Sequence, residues 1–515
     1  MSSLSAVDLE VARHRFVAAA DEMGSVLRRS SYSPNIKERA DFSAALFVPS
    51  GEMLAQAEHI PVHLGSMPAS VQAVIDVFGD KLDFNSQYAV NDPYHGGTHL
   101  NDLTIVRPVG YEGRLIGWVA NRAHHADVGG EAPGSMPAHA TRLEQEGHIV
   151  PPILAAHNRR WVDEFLEPLL AATRTPEERM GDLSAQMGAN EMGAIRLAEL
   201  CKMYGAVRYH GVCSGLLDYG ERRMRTAIGE LPDGCYDFED HMEGYDGLHP
   251  IRASVTIDGT NIHADFSGSS KQVAANFNAV DAVTVSSLYF VVRAVSDPTI
   301  PANGGCYRPI TMEAPKGSIV NALPPAAVAA GNVETSQRVA DALFGALAEA
   351  VPNVVPAASQ GTMNNVLIGS DEFAYYETIG GGQGARNGHD GSSGIHTGMT
   401  NTKNTPIESL TQHYPLRITE YGLRSGSGGY GRYSGGEGII REIEFLEDAT
   451  VTLMGERRVI RPWGLQGGHP GALGEDWLIK RSGKSELLPG KVTLDVRTGE
   501  RLRILTPGGG GWGDP

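Results

Sequence analysis

The chain has 515 residues, 41% hydrophobic and 20% charged, a size that calls for several modules or one large elaborated body and a composition that excludes a disordered or fibrous protein. A formal net charge of -18 argues against nucleic acid as a partner, because phosphate recognition draws on clustered Lys and Arg. The start, MSSLSAVDLEVARHRF, carries charges of both signs and no apolar core, and no run of about 18 apolar residues occurs, so the expectation is a cytoplasmic protein with no membrane attachment.

The spacing of Leu9, Val11, Phe16, Val17, Ala20, Met23 and Val26 predicts an amphipathic helix over 7–29, closed before Pro34. Short β-type runs follow at 42–48, 103–108 and 114–120, with a helical segment, SVQAVIDVFG, between the first two. From 160 to 231 Leu, Met, Ala, Arg and Glu dominate and predict helices. Beyond Asp233-Gly234, IRASVTIDGTNIHADFSG reads as two strands joined by Asp258-Gly259. The fold class expected is therefore mixed α/β (α+β), with an N-terminal metal-site region over 1–155, a helical region over 156–232 and a strand- and Gly-rich region over 233–515. No fixed-period repeat is present.

Glycine concentrates after Gly361 in IGGGQGARNGHDGSSG, RSGSGGYGRYSGGEG and the terminal PGGGGWGDP. Interleaved apolar and aromatic residues mark these runs as ordered loops or contact surfaces, and the tail around Trp512 is expected to pack against another part of an assembly. Cys201, Cys213, Cys235 and Cys306 lack the density of a disulfide scaffold and any CxxC pair, so reduced, buried thiols are expected. For Cys306, in PANGGCYRP, an exposed and reactive thiol stays open beside that reading.

The segment NDPYHGGTHLNDLTIVRPVGYEGRLIGWVANRAHHADVGG carries the chemistry. A hairpin centred between Tyr111 and Glu112 would set His99 opposite His124 and Asp102 opposite Asn121, gathering two imidazoles and a carboxylate at one end. That donor set suits a divalent Mn, Zn, Fe or Co ion with positions left open for water or substrate. By spacing alone, histidines that merely bond backbone in Gly-rich loops account for the pattern equally well. His125 and Asp127 stand beside the set, as orienting groups or a general base. Asp41, His59 and His63 are further candidates for a ligand or a substrate contact, and His63, His125 and Asp41 are the candidate catalytic residues.

Several long phrases then occur in order: SYSPNIKERADFS, HIPVHLGSM, NDPYHGGTHLNDLTIVRPV, NFNAV, AGNVETSQRVADAL, ETIGGGQGAR, NTPIES and TPGGGGWGDP. Through them the chain resembles the hydantoinase B/oxoprolinase family over nearly its whole length. The resemblance to the family's carboxylase branch implies a metal held by a His-x-x-Asp pair and a later His, which are His99, Asp102 and His124 here. It also implies that ATP and Mg are bound by a separate hydantoinase A-type subunit in a hetero-oligomer such as α2β2. No GxxxxGK[ST] loop occurs in the chain, which agrees with that division.

The function expected is the metal-bearing subunit of an ATP-dependent amidohydrolase that opens a hydantoin, 5-oxoproline or lactam after the partner phosphorylates it. A subunit of a ketone carboxylase and a non-catalytic scaffold for the ATP-binding subunit stand as alternatives.

Overall fold

A capping box opens the first helix: the Ser5 hydroxyl accepts from the Asp8 amide while the Asp8 carboxylate accepts from the Ser5 amide. The computed structural model describes residues 5–57 and 60–515. In it, α1 (Ala6–Ser30) buries Leu9, Phe16, Met23 and Leu27, whereas Val11, expected on that face, is exposed. The short helix α2 (Pro34–Lys37) carries Pro34 in its first turn.

Next come β1 (Phe42–Phe47), β2 (Met53–Ala57), α3 (His63–Phe78), β3 (Ser86–Val90), β4 (Asp102–Tyr111), β5 (Arg114–His124), β6 (Ile153–His157) and β7 (Arg160–Trp161). The strands pair antiparallel in the order β2-β1-β5-β4-β3-β6-β7. The helical region supplies α4 (Asp163–Ala172), α5 (Pro176–Tyr204) and α6 (Ala206–Ile228). Arg160 and Trp161 are strand rather than helix, because Asn158 and Arg159 both take positive φ and turn the chain back onto β6.

Both faces of this sheet are covered, so β1 is buried at every position. Phe42, Ala44 and Leu46 enter a core shared with α1, α5 and α6, while Ala45 and Phe47 point into the core on the other face.

A second sheet, ordered β11-β10-β9-β8, joins β8 (Gly234–Glu243), β9 (Leu248–Asp258), β10 (Asn261–Asp265) and β11 (Ile310–Glu313). Asp258 pairs with Asn261, so the turn residues are Gly259 and Thr260 rather than Asp258-Gly259, with Gly259 at φ 56°. The strand-rich expectation for this region omits α7 (Asp281–Val295), the short α8 (Gly304–Tyr307) and α9 (Ser336–Ala350). Helix α7 packs between α3 and α9, and α9 lies on β8 and β9. One hydrophobic core runs from Ala45 through Met224 to Met454 and draws on all three expected regions.

The remainder holds β12 (Asn365–Gly369), β13 (Ala374–Glu377), α10 (Ile407–His413), β14 (Leu416–Arg424), β15 (Gly438–Phe445), β16 (Ala449–Met454), β17 (Glu475–Ile479), β18 (Ser485–Leu488), β19 (Lys491–Val496) and β20 (Arg501–Leu505). They build sheets ordered β13-β12-β16-β19 and β14-β15-β20-β17-β18. With helices and mainly antiparallel sheets, the fold is of the α+β class.

The terminal glycines are buried against the chain itself: a Cβ on Gly508 would lie 1.9 Å from the Ser427 carbonyl oxygen, and one on Gly510 2.1 Å from that of Trp463. Trp512 is bridged by backbone to Tyr433 and Leu465, so the tail packs on its own chain. Cys201, Cys213 and Cys306 are buried thiols, but Cys235, on β8, is exposed, against the expectation of four buried ones. No described helix is long and apolar enough to cross a membrane.

Candidate metal centre

Three neighbouring strands end at the same edge of the first sheet. Asp41 immediately precedes β1, His124 closes β5 and Asp102 opens β4. The His124 amide donates to the Asp41 carbonyl at 3.1 Å, and His124 is the Cα partner of Asp102.

This register differs from the expected one. The turn residues are Glu112 and Gly113, both at positive φ, and a bulge at Val109/Gly110 adds one further shift, so Asn121 pairs with Ile105 and His99 lies beyond the ladder. His99 reaches the same place by another route. The Asp102 amide donates to the His99 carbonyl at 3.1 Å, and this tight turn brings His99 Nε2 to 3.3 Å from Asp102 Oδ1. The rings of His99 and His124 then lie 5.0 Å apart.

His63, the first residue of α3, sets Nδ1 2.8 Å from the Ser43 hydroxyl and Nε2 3.5 Å from Asp102 Oδ2. Thr98 donates to the same Asp102 oxygen at 2.7 Å. His125 does not join them. Its side chain follows the strand alternation to the other face, where Nε2 meets Gln186 Oε1 on α5 at 2.9 Å. Asp127 is buried too, accepting from the amides of Gly129, Gly134 and Arg174 and from the Arg174 guanidinium at 2.8 Å. Its carboxylate is thus taken up by this loop and by Arg174 rather than by the imidazoles it was expected to orient. His59 lies outside the described residues.

Burial sets the electrostatics. It pushes Asp41 up to about 6 against the pull of Arg39, with the Asp102 charge adding to the rise. Burial acts upward on Asp102 as well, but the imidazoles of His99 and His63 outweigh it and hold that carboxyl well below the usual range. His124 is held well below the usual imidazole range by burial and by His99 beside it, so its ring is neutral.

His99 Nδ1 and His124 Nε2 are buried without a hydrogen-bond partner, and His99 Nε2, also buried, faces only Asp102 Oδ1. Unpartnered imidazole nitrogens beside an ionised carboxylate are a donor set that fits a divalent transition metal. Among the described residues no three His, Cys, Asp or Glu side chains already surround one point at ligating geometry, so filling this site takes side-chain movement.

Sequence reasoning missed the residues that arrive from far along the chain. A π-helical turn, Gly331–Thr335, carries Asn332, whose Nδ2 lies 3.4 Å from Asp102 Oδ2, and Glu334, fully buried with Oε2 unpartnered. Tyr376 stacks on the face of His124, and Asn35 holds its edge and backbone, donating to its carbonyl at 2.7 Å with Nδ2 3.1 Å from its Nδ1. The phrases AGNVETSQ, ETIG and SPNIKERAD mark these segments or their borders but give no distance to the histidines.

Fold and site define a class: a many-sheeted α+β chain that buries an imidazole–carboxylate centre where three adjacent strands end. Residues 5–515 match the family described as Hydantoinase B/oxoprolinase, and the chain belongs to that family. It is 38% identical to 5-oxoprolinase 1 of Arabidopsis thaliana over 98% of its own length, and it spans only 42% of that relative. Its fold is that of the ATP-dependent caprolactamase from Pseudomonas jessenii, with a TM-score of 0.93 at 29% identity over 100% of this chain and 92% of the other. Acetone carboxylase shares the fold at a TM-score of 0.92 and 19% identity, covering 100% of this chain and 77% of that one.

Proposed function

We propose that the chain is the metal-bearing component of an ATP-dependent cyclic-amide hydrolase, acting with a separate ATP- and Mg-binding component of the hydantoinase A type. The observation that carries this reading is the pair of buried imidazoles, His99 and His124, with unpartnered nitrogens beside ionised Asp102 in a chain of this family. Support for a partner comes from the oxoprolinase relative, more than half of which lies outside the matched region.

In this reading the partner transfers the γ-phosphoryl group of ATP to the amide oxygen of a lactam, hydantoin or oxoproline, which removes the amide resonance. Water adds to that carbon, the ring C–N bond breaks to release the nitrogen, and a second water hydrolyses the acyl phosphate to carboxylate and phosphate. His99, Asp102 and His124 would hold the metal, which when bound supplies Lewis acidity. Asp41, titrating near neutrality, accepts a proton from the attacking water and returns it to the departing nitrogen. His63, held between Ser43 and Asp102, fixes the carboxylate. His125 braces the end of β5 through Gln186.

Metal analysis by mass spectrometry tests the site. About one transition-metal ion per chain, lost in His99→Ala and in His124→Ala, is expected for a site of this donor set. A metal-free parent after reconstitution would overturn it. With the partner present, ATP consumption that depends on a lactam, hydantoin or oxoproline is expected; dependence on bicarbonate and a ketone would replace hydrolysis with carboxylation.

A further inference from the structure

Two adjoining cavities of about 290 and 640 Å³ lie beside the site, and Pro61, Phe290, Ala294 and Asn401 line both. The smaller reaches the candidate centre through Ser43, whose hydroxyl meets His63, which in turn meets Asp102. The larger is of the size that takes a small organic molecule.

Its lining has two chemistries. Phe290 and Phe344, edge to face with centroids 6.0 Å apart, give an apolar surface beside Ala294. His396 and Arg386 give hydrogen-bond donors. The carboxylate in the lining, Asp341, already receives Arg338 at 2.9 Å and Arg457 at 2.6 Å, so its charge is balanced.

His396 is partly buried; its Nε2 atom is enclosed and has no hydrogen-bond partner, while Nδ1 stands 3.5 Å from the Thr400 hydroxyl. Burial, aided by Arg39, holds the ring down to about 4, so it is neutral and presents an N–H rather than a charge. Leaving such a group buried without a partner is costly, and a ligand acceptor removes that cost. A guanidinium carries five N–H groups and no acceptor, and its fork matches a carboxylate or phosphoryl group.

We propose that the larger cavity is a recognition cleft for a small organic anion, whose carboxylate or phosphoryl oxygens bond to Arg386 and His396 Nε2 while its apolar body lies on Phe290 and Phe344. A hydrogen-bonded path of Thr400, Thr402, Arg39 and Asn35 leads from His396 to His124. The proposal deepens the ring-opening reading, on which it rests for the identity of the reaction but not for the existence of the cleft.

Calorimetric titration of the full chain with phenylphosphonate and benzoate, against benzyl alcohol, tests the cleft directly. At least one anionic probe is expected to bind saturably and the neutral alcohol not to. Arg386→Ala and His396→Phe should each weaken binding about tenfold or more, as loss of a charge-assisted or buried hydrogen bond does. Ala294→Trp, on an exposed position of α7, should fill the cleft and abolish binding without disturbing the core. Binding by neither probe, or binding unchanged in Ala294→Trp and Arg386→Ala, would overturn the proposal. Ring opening with an unaltered KM in Ala294→Trp would remove the cleft and leave the reaction standing. Saturable probe binding in a chain that opens no ring would do the reverse.

Discussion

The ring of Tyr376 lies on the imidazole of His124, with centroids 4.3 Å apart and planes 15° from parallel. The Tyr376 hydroxyl donates to Asn365 Oδ1 at 2.9 Å, and Asn365 donates to Glu334 Oε1 at 2.7 Å, so the stack is pinned from behind. Tyr376→Phe keeps the ring but leaves the Asn365 acceptor unpaired in the interior, at a cost of about 1–3 kcal/mol. Tyr376→Ala also opens a cavity and should cost about 3–5 kcal/mol, by analogy with other aromatic truncations. Denaturant unfolding measures both, and a smaller loss for Ala than for Phe would show that the stack is not a packing contact.

Asn35 acts on His124 at its Nδ1 edge and backbone carbonyl, and is itself held by the Arg39 guanidinium. Removing a group that orients a metal-binding imidazole typically lowers affinity about 10–100-fold. Asn35→Ala should show that loss in a metal competition titration while the fold, followed by circular dichroism, stays intact. Unchanged affinity would separate Asn35 from the metal site.

Two buried carboxyls give the protein a pH-dependent stability. Burial pushes Glu146 and Glu334 up to about 8 from 4.5, with the Glu456 charge adding to the rise at Glu334. Between those values the folded chain binds more protons than the unfolded one, so stability is full below about pH 4.5 as far as these groups are concerned and declines as pH rises through about 8. Glu334→Gln, isosteric with the neutral acid, should flatten part of that decline. Unfolding midpoints compared at about pH 5 and pH 8 test the sign, and a parent that gains stability across this window through these groups would contradict it.

Gly331 opens the π-helical turn that carries Asn332 and Glu334, and a Cβ there would stand 1.8 Å from the Asn278 carbonyl oxygen. Gly331→Ala must therefore push the turn away from Asn278 and shift Asn332 relative to Asp102. A loss of about 1–3 kcal/mol, as for other overpacked sites, is expected together with weakened metal binding. Retention of both would mean that the turn is free to shift.

Arg457 binds Asp240 at 2.7 Å and Asp341 at 2.6 Å, joining β8 to α9 in the interior. Arg457→Met leaves two buried carboxylates short of a partner and should cost about 3–5 kcal/mol. Asp341→Asn in the same background should recover part of the loss, and a double-mutant cycle with no coupling would refute the link.

The strands around the centre were legible because their apolar runs are short and bounded by turn residues. The register was not. Which two residues of Gly110–Glu112–Gly113 occupy the turn depends on local positive φ, and the bulge at Val109/Gly110 leaves no mark in the hydrophobic pattern. The opening helix was readable from its period, whereas α7 is apolar and buried on most sides and so resembles a buried strand; α9 keeps a helical period but lies in a region that reads as strand- and Gly-rich.

From the sequence came the expectation that His99, Asp102 and His124 lie together, carried by the family resemblance and by their short chain separation around one hairpin; the register and the turn that join them came from the structure. The sequence by itself determined the α+β class and the family, since local pattern and ordered phrases need no knowledge of packing. Only the tertiary structure decided that His124 faces the centre while adjacent His125 faces Gln186, a choice made by which side of the sheet is covered by α5. It also brought Asn332 to Asp102 across 230 residues and Tyr376 onto His124, contacts whose cause is the burial of whole layers against one another rather than anything written near the histidines.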